Sequence, residues 1–368
     1  MLQDEAPKWH TDVFQIPKGS IYITTAFTRS LEPEQIMLTI NEPIGRGTFG
    51  LVYKAHVNKL DSVVAIKQVA NNSNHSGNEL KIMNNMLDHC NIVRLMMHCF
   101  TGVCEPRQRY MLLIMEYMPM SLLKYISQYD EHQIPFIYVR VLSYQMFRGL
   151  AHLHSQCICH RDVKPDNMLL DPTTMNLKLS DFGSAKLMKK NELSSTYICS
   201  RLYRAPELFA KIETYDTSMD IWSAGCVLAE LIKGTPLFRN EYDQLLHMMT
   251  MLGTVGLVNC PELLAKVSWA ENLPIIARPS SQTLIGKTIP HDLAALLNQC
   301  LVFNPTARIA PLKACAHPSY DELRLMDTLR TPMPSGAQLP PLFNFSKHEL
   351  QVDPDLWMHL LPLQLSEL

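Results

Sequence analysis

The segment VVAIK (63–67) is an apolar, β-branched run that ends in a lysine, and a glutamate twelve residues later interrupts a second apolar pattern. Glu79, Ile82, Met83 and Met86 recur at the i, i+3, i+4 and i+7 spacing of one helix face. A carboxylate on the apolar side of a helix is costly unless it meets a cation. An isolated lysine at a strand end is best read as a side chain snorkelling to water. With Glu79 opposite it, Lys67 becomes the partner that pins a helix to a strand and holds an ammonium in place.

The rest of the chain supplies both kinds of element. From 36 to 118 the pattern is mostly strand-like: FGLVYKAHV alternates, SVVAIKQV is β-branched, YMLLIMEYM is a buried run, and one helix is predicted over about 79–87. From 120 to 325 helical periods dominate; in YVRVLSYQMFRGLAHLHS, Val139, Leu142, Met146, Leu150 and Leu153 form one face. Residues 1–35 have mixed polarity and no sustained period, which predicts a loosely packed extension. The tail 326–368 is proline-rich at TPMPSGAQLPPLF and is expected to run over the surface of the helical part. The expected fold class is therefore α+β, with a small strand-rich part (36–118) and a larger, mainly helical part (119–325).

Composition narrows the function classes. A chain of 368 residues that is 47% hydrophobic can bury a large core. The formal net charge of -2 carries no basic excess that would advertise a nucleic-acid or anionic-membrane partner. The ten cysteines are scattered, with Cys157 and Cys159 spaced C-x-C and no paired C-x-x-C set, which argues against zinc. The N-terminal MLQDEAPKWH lacks the pattern of a signal peptide, and with no disulfide framework the expectation is a reduced, cytosolic protein. The longest apolar stretch, IWSAGCVLAELI (221–232), is too short to span a bilayer.

Three further motifs carry chemistry. GRGTFGLV (45–52) places Gly45, Gly47 and Gly50 between two strand-like segments rather than before a helix, unlike a dinucleotide-binding turn. A glycine loop of that kind lets backbone N–H groups approach phosphate oxygens with no Cβ in the way. HRDVKPDN (160–167) and DFG (181–183) complete the set. Any one of their polar residues could simply cap a turn; together they suit phosphoryl transfer from ATP, which needs positioning and charge neutralisation. Asp162 can accept a hydroxyl proton, Lys164 can steady the transferring group, and Asn167 and Asp181 are hard oxygen ligands suited to Mg²⁺.

These residues match the protein-kinase signature set over roughly 36–325. The segments LDHCNIVRL, ICHRDVKPDN, KLSDFGSAK, YICSRLYRAPEL, DIWSAGCVLAEL, ACAHPSYDELR and LFNF resemble the glycogen synthase kinase-3 family closely. The resemblance implies a bilobal protein-kinase fold, a β-rich N-lobe above a helical C-lobe. It implies an ATP- and Mg²⁺-dependent serine/threonine kinase. Adenine would sit between Ile44, Val52 and Ala65 above and Leu169 below. Met115 would guard the back of the pocket, and backbone groups of Glu116 and Met118 would meet the adenine edge. Tyr197 occupies the position that such kinases phosphorylate on themselves; a plain surface tyrosine is the alternative. A phosphate there carries nearly two charges, and Arg201 and Arg204 are spaced to pair with it. Glu207 of Ala-Pro-Glu is expected to pair with Arg308.

The chain departs from the family in three places. Family members hold a priming phosphate of the substrate with three basic side chains. Arg161 and Lys186 supply two, but Asn78 stands where the third is expected. Between 234 and 290, where the family docks scaffold proteins on the C-lobe, the sequence shares little with it. The N-terminal segment lacks the family's arginine-flanked inhibitory serine. Expected partners are thus protein substrates, primed or not, and a scaffold on the C-lobe, with neither nucleic acid nor membrane. The expected location is the cytoplasm, with the nucleus as a second compartment. A pseudokinase scaffold is the competing function, disfavoured because Lys67, Asp162 and Asp181 are all present.

Overall fold

The computed structural model describes residues 16–47, 50–60, 62–70, 74–86, 88–102, 109–129, 134–239, 243–267, 274–325, 327–328, 332, 336 and 338–362. They divide into two compact units. One runs to Asn85 and adds Val93–Tyr117; the other comprises Met86–Ile92 and everything from Met118 onward.

The first unit is a closed barrel. Its strands are β1 (Ile21–Thr28), β2 (Pro33–Gly47), β3 (Gly50–Val57), β4 (Ser62–Ala70), β5 (Leu95–Gly102) and β6 (Arg109–Glu116), in the order β1-β2-β3-β4-β6-β5. Leu38, Ile40, Tyr53, Ala55, Val64, Ile66, Leu112 and Ile114 fill its interior. The polar end of Tyr53 is satisfied there: its hydroxyl donates to Gln68 Oε1 at 3.2 Å and accepts the Ile16 N–H at 2.9 Å. Helix α1 (Asn74–Asn85) joins β4 to the rest of the unit, and Ile82 and Met83 are buried as their spacing predicts.

Two boundaries differ from expectation. Residues 1–35 are not all a loose extension: residues 1–15 lie outside the described residues, but Ile21–Thr28 is a strand that pairs with β2 and, through Ala26, Phe27 and Thr28, with β5. Its isoleucines, Ile21 and Ile23, face solvent while Ala26 is buried, so the usual hydrophobic-in alternation is missing. Helix α1 begins at Asn74 rather than near 79. Its first turn is Asn, His, Ser and Gly, poor helix formers that carry no apolar period.

The second unit is mainly helical. It contains β7 (Met120–Ser121), α2 (Leu122–Ile126), α3 (Phe136–Ser155), β8 (Ile158–Cys159), β9 (Met168–Asp171), β10 (Asn176–Leu179), β11 (Lys186–Leu187), α4 (Pro206–Phe209), α5 (Ser218–Lys233), α6 (Gln244–Leu252), α7 (Pro261–Lys266), α8 (Ser281–Ile285), α9 (His291–Cys300), α10 (Pro311–Cys315) and α11 (Asp321–Arg324). β7, β9 and β10 form one small sheet and β8 pairs with β11. Helix α5 is buried nearly throughout, with Trp222 stacked on Phe238. Gly225 permits its close packing, because a Cβ there would lie 2.7 Å from the Cys300 side chain on α9.

The tail is fastened rather than merely laid on the surface. The buried Arg148 of α3 donates from Nε to Glu349 Oε1 at 2.8 Å and from Nη2 to Oε2 at 3.2 Å. Its Nη1 reaches the Leu342 carbonyl at 3.1 Å and Asn344 Oδ1 at 2.6 Å. Glu349 also closes a capping box with Ser346 at the start of the short helix Lys347–Gln351, and takes a bond from His89 at 3.0 Å.

Candidate active site

In the barrel unit, Val52 lies opposite Lys67, Gly45 opposite Val52, and Ala65 opposite Met115. Directly opposed residues and i, i+2 neighbours share a face. Val52, Ala65, Lys67 and Met115 therefore occupy one face, while Tyr53, Ala55, Val64 and Ile66 on the other fill the barrel. Lys67 Nζ donates to both oxygens of Glu79, at 2.7 and 2.8 Å, and both side chains are buried. The pairing expected from the sequence is present.

The glycine loop is the β2–β3 connection, with Gly47 paired to Gly50; Thr48 and Phe49 between them lie outside the described residues. Its glycines are not equivalent. A Cβ on Gly50 would come within 1.7 Å of the Gln68 carbonyl oxygen, so that position is forced by packing on β4. A Cβ on Gly45 would meet nothing closer than Val52 at 3.9 Å. Among the described residues no packing demand explains Gly45, which fits a backbone left clear for a ligand. Ile44 beside it is largely exposed. The Glu116 N–H donates to the Arg94 carbonyl at 3.2 Å, so it is not the group offered to a ligand.

In the helical unit, the loop 160–167 is hung from α5. Asp220, fully buried, accepts the His160 N–H at 2.8 Å and the Arg161 N–H at 2.9 Å, and bonds His154 at 3.0 Å. Burial works to raise the Asp220 pKa, but His154, His160 and the Arg161 N–H hold it below the usual carboxylate range. These bonds also hold Arg161 at φ 64°. A non-glycine residue in this left-handed region costs about 1–3 kcal/mol and persists only when its surroundings insist on it. Asp181 lies in the same left-handed region, at φ 61°.

Asp162 sits at the centre. Its Oδ1 accepts from the Ser200 N–H and the Ser200 hydroxyl, both at 3.0 Å. Its Oδ2 receives Lys164 Nζ at 2.8 Å and Asn167 Nδ2 at 2.9 Å. Lys164 also donates to Ser200 Oγ at 2.9 Å. Burial lowers the Lys164 pKa, but the Asp162 charge and bond outweigh it and hold the ammonium charged. The segment carrying Asp181 is tied to the same loop: the Ser180 N–H and hydroxyl both donate to the Asn167 carbonyl at 2.9 Å. Leu169 is in β9, on the strand that continues from this loop.

The remaining predicted residues line the segment from 184 to 209. Arg161 donates from Nε to the Ser184 carbonyl at 2.6 Å and from Nη1 to the Tyr215 hydroxyl at 3.1 Å. Lys186 donates to Ser194 Oγ at 2.8 Å and pairs with Glu192 at 3.2 Å. Tyr197 is exposed, and the Arg204 guanidinium lies 5.7 Å from its ring centroid. Arg201 and Arg204 both lie over the Phe209 ring. Arg308 grips Glu207 with two bonds, 2.6 and 2.7 Å, as expected.

Sequence reasoning passed over Ser200 and Asp220. Both are polar residues inside quoted segments, but the contacts that define them span 38 and 60 residues. Asn78 lies in α1, in the barrel unit. A family model described as protein kinase domain matches residues 38–320.

Proposed function

The chain belongs to the protein kinase domain family, and from that premise we propose that it transfers the γ-phosphoryl group of ATP to serine and threonine hydroxyls of proteins, as a kinase of glycogen synthase kinase-3 type. The observation that carries this proposal is the cluster around Asp162. A carboxylate held by Lys164, Asn167 and Ser200 is a proton acceptor positioned at its task before any substrate arrives. Incoming hydroxyl displaces Ser200 Oγ or shares the Asp162 oxygen with it, and gives its proton to that oxygen. Lys164 offsets charge on the group in transfer. Lys67, oriented by Glu79, grips phosphate oxygens of ATP, and the clear backbone at Gly45 lets them approach.

Magnesium fits the donor set. Asp181 offers a carboxylate, and Asn167, whose Nδ2 is committed to Asp162, offers its amide oxygen; both are hard ligands. When bound, the ion supplies charge neutralisation on the phosphates.

Three features refine the type. Tyr197, beside Arg204, is positioned for a phosphate that would order the loop. Arg161 and Lys186 are the two basic groups available in the helical unit for a priming phosphate, and Asn78 replaces the third of the family. Preference for primed substrate is accordingly weaker than in the family. A scaffold partner on the helical unit is a proposal by family resemblance alone, since 234–290 diverges.

The test is to incubate the purified chain with labelled ATP, Mg²⁺ and paired primed and unprimed peptides, followed by phosphoamino-acid analysis. Phosphoserine or phosphothreonine is expected, and none from Asp181→Ala. Equal labelling by the two proteins, or none by either, would favour the scaffold alternative.

A further inference from the structure

The seam that closes the barrel is short. β1 pairs with β5 only through Ala26, Phe27 and Thr28. Ile21–Thr25 pair with β2 on one side and, among the described residues, with no strand on the other. The ladder to β2 shows which groups this leaves open. The Thr28 N–H donates to the Glu32 carbonyl at 3.2 Å, and the Ile40 N–H to the Ser20 carbonyl at 2.9 Å. Bonded pairs alternate along an antiparallel ladder, so the even-numbered residues of β1 direct their main-chain groups to β2. Ile21, Ile23 and Thr25 turn theirs to the open side.

Nothing in this stretch guards it against pairing. Edges of natural sheets carry charged side chains, prolines or bulges that discourage the addition of another chain. β1 reads IYITTAFT, without charge or proline, and its register with β2 runs from Ile21 to Phe27 without a shift. The outward side chains are aliphatic. Ile21 is 62% and Ile23 78% exposed, and Met37, directly opposite Ile23 on β2, is also exposed. An open row of main-chain groups therefore runs beside an apolar strip.

We propose that this edge is a self-association surface, on which two copies of the chain pair β1 to β1, antiparallel about Ile23. The occupant follows from the edge itself. The open stretch is bounded by the turn before Ile21, where the Ser20 N–H donates to the Pro17 carbonyl at 3.2 Å, and by the β5 pairing that begins at Ala26. Its middle residue is Ile23. A two-fold axis there sets Ile23 against Ile23 and Ile21 against Thr25 in both directions, so each open N–H and C=O of these residues meets its complement. The second copy brings no charge to the pairing, and its Ile21 and Ile23 extend the apolar strip of the first. A contact this short buries less surface than a permanent dimer needs, so the pairing depends on concentration.

Sedimentation equilibrium of the full-length protein should show a mass that rises through the micromolar range, from that of one chain toward that of two. Hydrogen exchange with residue-level fragmentation, run at both ends of that range, should show slower exchange at Ile21, Ile23 and Thr25 in the concentrated sample and no change at Tyr22 and Thr24. Ile23→Lys puts a charge on the edge. Ile23→Pro removes the donor on the open side and leaves the ladder to β2, to which that N–H does not point. Each should weaken self-association by about tenfold or more. A mass of one chain at every concentration, or association that leaves those three amides unprotected, overturns the proposal. Protection that is equal at both concentrations does so too, because it assigns the edge to another part of the same chain. Association lost in Ile23→Lys but kept in Ile23→Pro would reduce the contact to apolar side chains and overturn the strand pairing.

Discussion

Ser200 and Asp162 are joined twice, by the Ser200 N–H and by its hydroxyl, both reaching the same carboxylate oxygen at 3.0 Å. The bond fixes the carboxylate from the side opposite Lys164 and Asn167, which hold the other oxygen. Asp162→Asn removes the proton acceptor and should lower kcat by roughly a hundredfold or more. Ser200→Ala removes the hydroxyl's bonds to two charged groups, Asp162 and Lys164, and should lower kcat by about tenfold or more, with a smaller change in ATP KM. Steady-state kinetics with a single peptide check both. Full activity in Asp162→Asn would remove the basis of the mechanism.

Lys67 and Glu79 are buried together, so removing one takes from the other a charge partner within 2.8 Å. Lys67→Met and Glu79→Leu should each cost about 3–5 kcal/mol of stability. The double variant should regain part of that loss, because it removes both charges of the pair together. It should remain inactive, because the phosphate contact is gone. Denaturant unfolding beside peptide phosphorylation separates the two effects. A double variant as unstable as the singles would show that the pair is held by more than its charges.

Tyr197 is exposed beside Arg204, and it is modified only if the loop offers it to an active site. Mass spectrometry of active protein should find phosphotyrosine at 197 and none in Asp181→Ala. Tyr197→Phe should lower activity while leaving the unfolding midpoint unchanged, since it keeps the ring of an exposed side chain and removes only the hydroxyl. Undiminished activity in that variant would dismiss Tyr197 as the ordering group.

The tail anchor should make stability depend on pH. Burial pushes the Glu349 pKa up, but bonds from His89 and Arg148 hold it well below the usual 4.5. Burial lowers His89 from its usual 6.5. A depressed folded-state pKa gives stability that is complete above the unfolded value and is lost as pH falls through the folded one. Stability should therefore decline first below about pH 6.5, as the unfolded state takes up the His89 proton, and further below about pH 4.5, as it takes up that of Glu349. His98 and His317, also lowered by burial, share the first window. Asp220 and Asp171, also held below the usual carboxylate range, share the second window. His89→Gln should therefore flatten part of the upper decline and Glu349→Gln part of the lower one, read from thermal unfolding midpoints across pH. An unchanged profile in Glu349→Gln would mean the tail carries no proton-linked stability.

Lys67, Glu79, Asp162, Asn167, Asp181 and the Glu207–Arg308 pair were legible because fixed spacings expose them, and among them Lys67 meets Glu79, Asn167 meets Asp162 and Arg308 meets Glu207. Other residues were hidden for physical reasons. β1 shows the wrong face: its isoleucines point outward, so its alternation argues against burial. Ser200, Asp220 and Glu349 act through partners far away in sequence, and no local period marks them. Gly45 and Gly50 look alike in the motif, and only the space around each separates the glycine that packing demands from the one it does not.

A barrel that closes through β1 and β5 has no outermost strand. An open sheet offers a row of unpaired backbone groups, to which a foreign peptide can add itself by main-chain pairing with little regard for sequence. Where Ala26, Phe27 and Thr28 pair with β5 that route is shut, and a protein that engages the wall there meets side chains and is chosen by its own sequence. Deleting the residues through Thr28 would reopen two borders at once, along β2 and along β5, and turn a discriminating surface into an adhesive one.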